Sequence, residues 1–167
     1  LGAETISGVY LAAAIAGLIS GVVPQQGLTN LAISGFTGVT RTTAYFNTTQ
    51  LNTMAEGGTF IITQDPSTGA IFTRHQLSTD TTDLNSSELS VVKNVDSISS
   101  LFLRRLAPYI GIANITPQFL AKARVELEAA IGYLKSSGYV ARLGGQLIDA
   151  EIIELRQHST LKDRIVA

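Results

Sequence analysis

The sequence contains no cysteine and little charge. Without cysteine, neither a disulfide framework nor a thiolate metal site can form. Asp, Glu, Lys and Arg make up only 15% of the 167 residues, whereas an average soluble domain has about 25%. The net charge of −1 provides no positive field for binding nucleic acid, so a nucleic-acid partner is not expected.

The shortage of charge is most marked in the N-terminal part of the chain. Glu4, Arg41 and Glu56 are the only charged residues before Asp65. Because interface cores are depleted in charge, this part is expected to be either buried or covered by a partner. The chain is 45% hydrophobic, which is enough for a core, and its length suits one domain comprising residues 1–167.

Residues 8–23 are apolar and raise the question of a membrane span. A transmembrane helix needs about 20 apolar residues, whereas this run is shorter, is rich in Ala, Gly and Ser, and is closed by Pro24. No basic segment precedes it, as a signal peptide would require. We therefore predict a buried helix with Ser7 as N-cap and no membrane role. Its small residues would allow close packing: Ala12, Ala13, Ala16 and Gly17.

Several segments have strand or short-helix character. "TFIITQ" and "AIFTRHQL" flank the turn sequence "DPSTG" and predict a β-hairpin. Further strands are predicted at "LAISGFTGV", "GQLIDAEIIELRQ" and "LKDRIVA". A short helix that stops at Gly57 and Gly58 is predicted at "NTTQLNTMAEGG", and a polar connection is predicted at "STDTTDLNSS". The expected fold is α+β: a mixed β-sheet of about four to five strands, including the hairpin, packed with three main helices.

Two longer helices follow the hairpin. The first has an apolar stripe and should end or kink at Pro108; the stripe comprises Val91, Val95, Ile98, Phe102, Leu106 and Tyr109. The second begins with Thr116 as N-cap and Pro117, and it stops at Gly138. Its predicted buried face comprises Leu120, Ala123, Leu127, Ala130, Ile131 and Leu134. Its solvent face offers the pairs Lys122–Glu126 and Arg124–Glu128.

The sequence contains no convincing catalytic motif. His75, Ser78 and Asp80 are better explained as a solvated strand end than as a triad, which is defined by geometry. His158 is interpreted as a turn residue. The carboxylates Asp149, Glu151 and Glu154 suggest the solvated face of a strand, since Ile148, Ala150 and Ile152 alternate with Asp149 and Glu151. A structural or interaction protein is favoured over an enzyme. Two alternatives remain open: a small α/β ligand-binding or enzymatic domain with an unseen pocket, and a membrane-interacting domain.

The order and wording of the segments resemble the C-terminal part of contractile tail sheath proteins of bacteriophages and tailocins. The resemblance rests on "YLAAAIAGLIS", "GLTNLAISG", "LNTMAEGGTFIITQDPSTGAIFTRHQL", "LSVVKNVDSISSLFLRRL", "YIGIANITPQFLAKARVELEAAIGYLKSSGYV" and "LKDRIVA", in that order. The link "RHQLSTDTTD" matches only loosely. Sheath proteins are longer, so the resemblance implies a core fragment without the N-terminal region and the C-terminal arm.

The resemblance implies a structural role without catalysis or cofactor. Sheath subunits form stacked hexameric rings around a tail tube protein, join a baseplate, and contract to drive the tube through the target cell envelope. Terminal arms add strands to neighbouring subunits. The expected location is the virion, after assembly in the cytoplasm of a bacterial host. Without arms, the isolated chain is expected to be monomeric.

Arg104 and Arg105 are the candidate partner-binding residues. They are adjacent at the end of the "SVVKNVDSISSLFLRRL" helix in a chain poor in charge. In the family, a helix of this domain contacts the tube, so one or both are expected to pair with acidic tube residues. The alternative is that they only complement the helix dipole, an effect of about 0.3–1 kcal/mol.

Overall fold

The computed structural model of the protein describes residues 5–39, 45–136, 146–161 and 165–166. The chain divides into two compact units, Leu1–Asn94 and Val95–Ala167, which are described in turn. Helices and antiparallel strand pairs make up both, so the predicted α+β class is confirmed. That the whole chain forms one domain stays a prediction.

A small antiparallel sheet is the centre of the first unit. Its order is β1–β3–β2, with β1 at Ala32–Ile33, β2 at Ile61–Gln64 and β3 at Ile71–His75. Strands β2 and β3 form the predicted hairpin, in which Gln64 lies opposite Ile71. The buried side chains of this unit include Leu28, Ile33, Ile61, Thr63, Ile71, Thr73 and Gln76. The core therefore consists of alternate strand residues and the segment that precedes β1.

The turn of the hairpin is organised by one carboxylate. Oδ1 of Asp65 accepts hydrogen bonds from the amide and the hydroxyl of Ser67, at 2.8 and 2.7 Å, and Oδ2 accepts one from the hydroxyl of Thr68 at 2.9 Å. Gly69 follows with φ +72°, a conformation that glycine adopts without steric cost. The hydrogen bonds from Ser67, followed by those from Thr68, lower the pKa of Asp65 to about 2.

Helix α1 (Gly8–Gly21) begins where the sequence predicts, with Ser7 as its N-cap, but it is not buried. Leu11, Ala14, Ile15, Leu18 and Ile19 are half-buried, and the helix has contacts with β1. The small residues face outward: Ala12, Ala13, Ala16 and Gly17 are all exposed. The prediction of a buried helix is therefore wrong. In the part of the chain that the structure describes, no helix is long and apolar enough to cross a membrane.

Local capping defines two shorter helices of this unit. Helix α2 (Thr48–Glu56) has a capping box, in which Asn47 and Gln50 bond to each other's backbone amides, and it ends at Gly57 as predicted. Helix α3 (Leu84–Ser87) lies within the segment predicted as a polar connection. The carboxylate of Asp83 accepts a hydrogen bond from the amide of Ser86 at 2.9 Å and caps this single turn. The prediction missed α3 because the turn has no apolar periodicity.

Helix α4 (Leu89–Leu106) starts in the first unit and continues into the second. As the sequence predicts, it ends before Pro108, and a 3-10 turn follows at Ala107–Tyr109. The predicted stripe is half-buried except at Val95, which is 55% exposed.

Helix α5 (Pro117–Ser136) provides the core of the second unit. The hydroxyl of Thr116 accepts a hydrogen bond from the amide of Phe119, which confirms the N-cap. Five of the six residues predicted on its inner face are buried, and Leu120 is half-buried; the five are Ala123, Leu127, Ala130, Ile131 and Leu134. The predicted stop at Gly138 lies outside the described residues.

The predicted solvent-side pairs of α5 differ in outcome. Arg124 forms its ion pair with Glu128, at 3.5 Å. Lys122 and Glu126 both contact Tyr109: the ammonium lies 4.9 Å from the ring centroid, and the carboxylate accepts a hydrogen bond from the phenol at 3.4 Å. Both residues of this predicted pair therefore contact an aromatic residue from the preceding turn.

The C-terminal strands are shorter than predicted. Strand β4 (Arg156–Gln157) pairs antiparallel with β5 (Ile165–Val166), while residues 147–155 belong to no strand. Asp149 and Glu151 are exposed, as predicted, but Ile148 is 97% exposed. The expectation that Ile148 lies on a buried strand face is wrong, since within the described residues this segment pairs with no strand.

Leu127→Ala is expected to lower the free energy of unfolding by about 2–5 kcal/mol, because it removes buried methyl groups from the α5 core. The matched control is Val125→Ala, an apolar residue of the same helix that is 63% exposed, which should change stability by at most about 0.5 kcal/mol. Urea denaturation of both variants measures the difference. Equal losses would contradict the orientation of α5.

Asp65→Asn is expected to weaken the hairpin turn in a pH-dependent way. The folded-state pKa of Asp65 is about 2 and lies below the ordinary value of 3.8, so the stability that the carboxylate adds is present above the ordinary value and is lost as the pH falls through about 2. The wild type should be more stable than the variant at pH 5, and the difference should shrink towards pH 2. Urea midpoints at intermediate pH values test this; a constant difference would refute it.

Candidate functional site

Arg104 and Arg105 lie in the last turn of α4, as the sequence indicates, and both are exposed. Nε of Arg104 donates a hydrogen bond to the carbonyl of Ser100 at 3.2 Å, one turn back along the same helix. The two arginines border a surface depression of about 250 Å³ whose other lining residues are Ser97, Leu101, Tyr133, Leu134 and Gln146. This position suits both the helix dipole and an acidic partner.

The three residues that could suggest a triad have separate partners. Nε2 of His75 lies 2.6 Å from a carboxylate oxygen of Glu88. The hydroxyl of Ser78 donates to the carbonyl of Ser86 at 2.6 Å, and Asp80 accepts from the hydroxyl of Thr82 at 2.6 Å. The prediction that they belong to a solvated strand end rather than to a triad agrees with these contacts.

The other candidate residues also serve local structure. Nδ1 of His158 accepts hydrogen bonds from the amides of Thr160 and Leu161, so it is the turn residue that was predicted. Asp149 pairs with Lys135 at 2.6 Å, and Glu154 pairs with Arg156 at 2.8 Å. Among the described residues, no group of His, Asp or Glu side chains is arranged to hold a metal ion.

A second depression, of about 290 Å³, lies beside α2 and the hairpin. It is a candidate for the pocket of a ligand-binding domain, and Arg74 and His75 are among its lining residues. However, Nη2 of Arg74 already donates to the side chain of Asn52 at 2.7 Å, and His75 already faces Glu88. These polar groups are therefore engaged with the protein itself.

Lys93 has an environment that the sequence did not indicate. It lies in α4, and its Nζ is buried without a hydrogen-bond partner among the residues that the structure describes. Burial lowers the pKa of this ammonium. The sequence pattern could not indicate this burial, because a buried lysine and a solvated lysine of a helix differ only in the structure that surrounds the ammonium.

Large apolar side chains are exposed in several places. Val9 and Tyr10 are exposed on α1, Ile110 and Ile112 after the 3-10 turn, and Ile148 and Ile153 in the unpaired segment before β4. Exposed apolar side chains are typical of surfaces that bind other proteins when they form a contiguous patch. These residues are therefore candidates for contacts with other proteins.

No family model and no curated protein matches the sequence. Two solved structures do match the fold. A sheath tail protein from Desulfitobacterium hafniense is similar with a TM-score of 0.64 and 15% identity, over 77% of this chain and 30% of the other. A sheath tail protein from Listeria innocua gives a TM-score of 0.62 and 14% identity, over 74% of this chain and 30% of the other.

The chain has a tail-sheath-like fold. The resemblance read from the order of its segments is thus confirmed at the level of the fold. The tail-sheath-like chain spans 30% of the length of these two sheath tail proteins. Identities of 14% and 15% establish the fold alone, so ring formation, tube binding and contraction are matters for proposal.

Lys93→Met is expected to raise the free energy of unfolding at pH 7 by about 1 kcal/mol, because it removes a buried polar group that has no partner. The lowered folded-state pKa means that the unfolded chain binds more protons between this pKa and the ordinary value of 10.5. Wild-type stability therefore rises with pH in that window, and the advantage of the variant shrinks.

Urea denaturation of both proteins at pH 7 and pH 10 tests this prediction. Lys122→Met, which changes an exposed lysine of α5, is the control and should show no comparable gain. If the two variants behave alike, the ammonium of Lys93 is solvated in the folded chain.

Proposed function

We propose that the chain is part of the sheath subunit of a contractile tail. The observation that carries this proposal is the likeness of its fold to two sheath tail proteins over 74% and 77% of the chain. The subunit would form hexameric rings around a tail tube and join a baseplate. It would be assembled in the cytoplasm of a bacterial host and act in the virion.

The proposed mechanism is a change of packing rather than a chemical reaction. Subunits would assemble in an extended state of higher free energy and rearrange into a shorter, wider sheath, which drives the tube through the envelope of the target cell. Such a transition requires surfaces with two alternative arrangements. The exposed apolar residues on α1 and after the 3-10 turn suit a protein whose working surface consists of contacts between subunits.

The surface charges support a structural role as well. Four of the five aspartates that the structure describes are used in turns, caps and ion pairs: Asp65 and Asp80 order polar loops, Asp83 caps α3, and Asp149 pairs with Lys135. The side chains of these four residues are occupied by local structural contacts. We therefore propose that the chain binds proteins and has no enzymatic activity.

The proposed contact with the tube includes Arg104 and Arg105. A contact that must form in the extended state and release on contraction is better made by exposed charges than by a large apolar surface, because exposed pairs are weak individually and exchange readily with water. Both arginines are exposed at the end of a helix, and Arg104 is bonded only to its own helix in the described structure. Acidic side chains of the tube protein would be their partners.

The double variant Arg104→Glu, Arg105→Glu, made in the full-length subunit, is expected to fold but not to form extended sheath on tubes. Loss of the dipole interaction alone would cost about 0.3–1 kcal/mol per residue, which is too little to unfold the chain. Arg104→Lys, Arg105→Lys keeps the charge and should still assemble. Electron microscopy of subunits mixed with tubes measures assembly, and circular dichroism monitors the fold.

If the glutamate variant forms extended sheath as readily as the wild type, the arginines serve only the helix end. If full-length wild-type subunits form no tubular polymer at all, the proposed function itself is wrong.

A further inference from the structure

Residues 147–155 run back along α5 without forming a strand, and we call them the strap. Three of its residues contact the helix in turn: Leu147 contacts Leu134, Asp149 contacts Lys135, and Ile152 contacts Arg124. The first two contacts are made with the last part of α5, and the third lies about three helical turns nearer to its start. The strap is therefore antiparallel to the helix.

The contacts that hold the strap are few and largely exposed. The ion pair joins Lys135, whose side chain is 40% exposed, to Asp149, whose side chain is 85% exposed. Nη1 of Arg124 is shared between the strap carbonyl, at 3.4 Å, and the carboxylate of Glu128, at 3.5 Å. Among the described residues, one backbone–backbone hydrogen bond of 3.3 Å joins the strap to its surroundings, at its first residue. Exposed ion pairs contribute little stability individually, so the strap is weakly held.

The strap also buries little apolar surface. None of its residues is fully buried. Its half-buried side chains are Leu147, Ala150, Ile152 and Leu155. Ile148 is 97% exposed and Ile153 is 91% exposed. Regions with few buried apolar contacts open locally at a low free energy, while the core of the protein stays folded.

The sequence of the strap has a strand pattern that the observed arrangement does not use. In a strand, Ile148, Ala150 and Ile152 would share one face. In the structure Ile148 is exposed, whereas Ala150 and Ile152 are half-buried. Conflicts between a local sequence pattern and the observed conformation are expected at functional or strained sites. The pattern therefore suits a second arrangement of these residues.

We propose that the strap is a releasable element, which leaves α5 when the Lys135–Asp149 ion pair and the Arg124 contact open. Its two ends stay attached: one follows the buried Gln146, and the other continues into β4, which pairs with β5. Segments that switch between an ordered and a released state are a common means of conformational change. The use of the strap rests on the proposed function, because a packing transition of sheath subunits requires an element with two arrangements.

Release can be measured with a single cysteine, since the chain has none. Ala150→Cys places a thiol at a half-buried position of the strap, and the neutral reagent N-ethylmaleimide labels it when it becomes accessible. Mass spectrometry of the full chain gives the labelling rate. Because release exposes little surface compared with unfolding, this rate should be nearly independent of urea up to about 1 M.

Lys135→Gln, added to the Ala150→Cys chain, removes the ion pair and is expected to raise the labelling rate by about two- to fivefold, the effect of one exposed pair. Loss of a positive charge near the thiol would by itself lower the thiolate fraction and slow labelling, so a faster rate reports release. Salt should act in the same direction: an increase from about 0.05 M to about 0.5 M should accelerate labelling of the Ala150→Cys chain but not of the Lys135→Gln variant.

The matched control is Lys122→Gln in the same Ala150→Cys chain. Lys122 is also an exposed lysine of α5, and its described contact is with Tyr109 rather than with the strap. This substitution should leave the labelling rate unchanged. Circular dichroism verifies that all variants fold.

Equal labelling rates of the Lys135→Gln and Lys122→Gln variants would overturn the proposal, because the ion pair would then not hold the strap. A rate that rises steeply at the lowest urea concentrations would overturn it as well, since the thiol would then be reached only when the chain unfolds. The experiment uses single chains and neither tubes nor rings. A negative result therefore refutes the release of the strap and leaves the proposed sheath function to its own test by electron microscopy.

Discussion

Gln76 connects three segments of the first unit through its buried side chain and its backbone carbonyl, and the attachment of two of these segments to β3 depends on it. Its Oε1 accepts a hydrogen bond from the amide of Leu28 at 2.7 Å, and its backbone carbonyl accepts one from the amide of Leu89 at 3.0 Å. Gly27 allows this approach, since a Cβ there would lie 3.1 Å from Nε2 of Gln76. The segment after α1 and the start of α4 are thereby both fixed to the end of β3. Buried amides must find such partners, because an unsatisfied one costs about 1–3 kcal/mol.

The same region uses paired polar groups to end the sheet. Thr73 donates its hydroxyl to the carbonyl of Leu28, and His75 faces Glu88 at the beginning of α4. These polar side chains thus join other segments to β3. Large apolar side chains elsewhere in the chain, such as Ile110 and Ile112, are exposed to solvent. Exposed apolar side chains are expected from this composition, because few charged residues are available to cover the surface.

The sequence predicted best those elements whose signals are local. Helix α5 has an N-cap, a proline at its first position and a regular apolar face. The turn of the hairpin is formed by neighbouring residues, in which Asp65 accepts hydrogen bonds from Ser67. The failures concern burial. Helix α1 was predicted to be buried because it is apolar, and residues 147–155 were predicted to form a strand because Ile148 alternates with acidic residues. Periodicity identifies an apolar face, but it does not tell whether anything within the chain covers that face.

The same limit explains what could be foreseen of the candidate site. Arg104 and Arg105 were identified because two adjacent charges are conspicuous in a chain with few, whereas the burial of Lys93 depends on its surroundings. The resemblance to sheath proteins was recognisable from the order of several segments, each of which alone is a weak signal. The likeness of the fold to two sheath tail proteins, at 14% and 15% identity, confirms this resemblance at the level of the fold. The failure on α1 is informative: an apolar, charge-free helix of which one face is left exposed by the described part of the chain is suited to contacts with other chains. In the sheath subunit that we propose, part of the apolar surface that the chain itself does not cover would be covered by a neighbouring subunit.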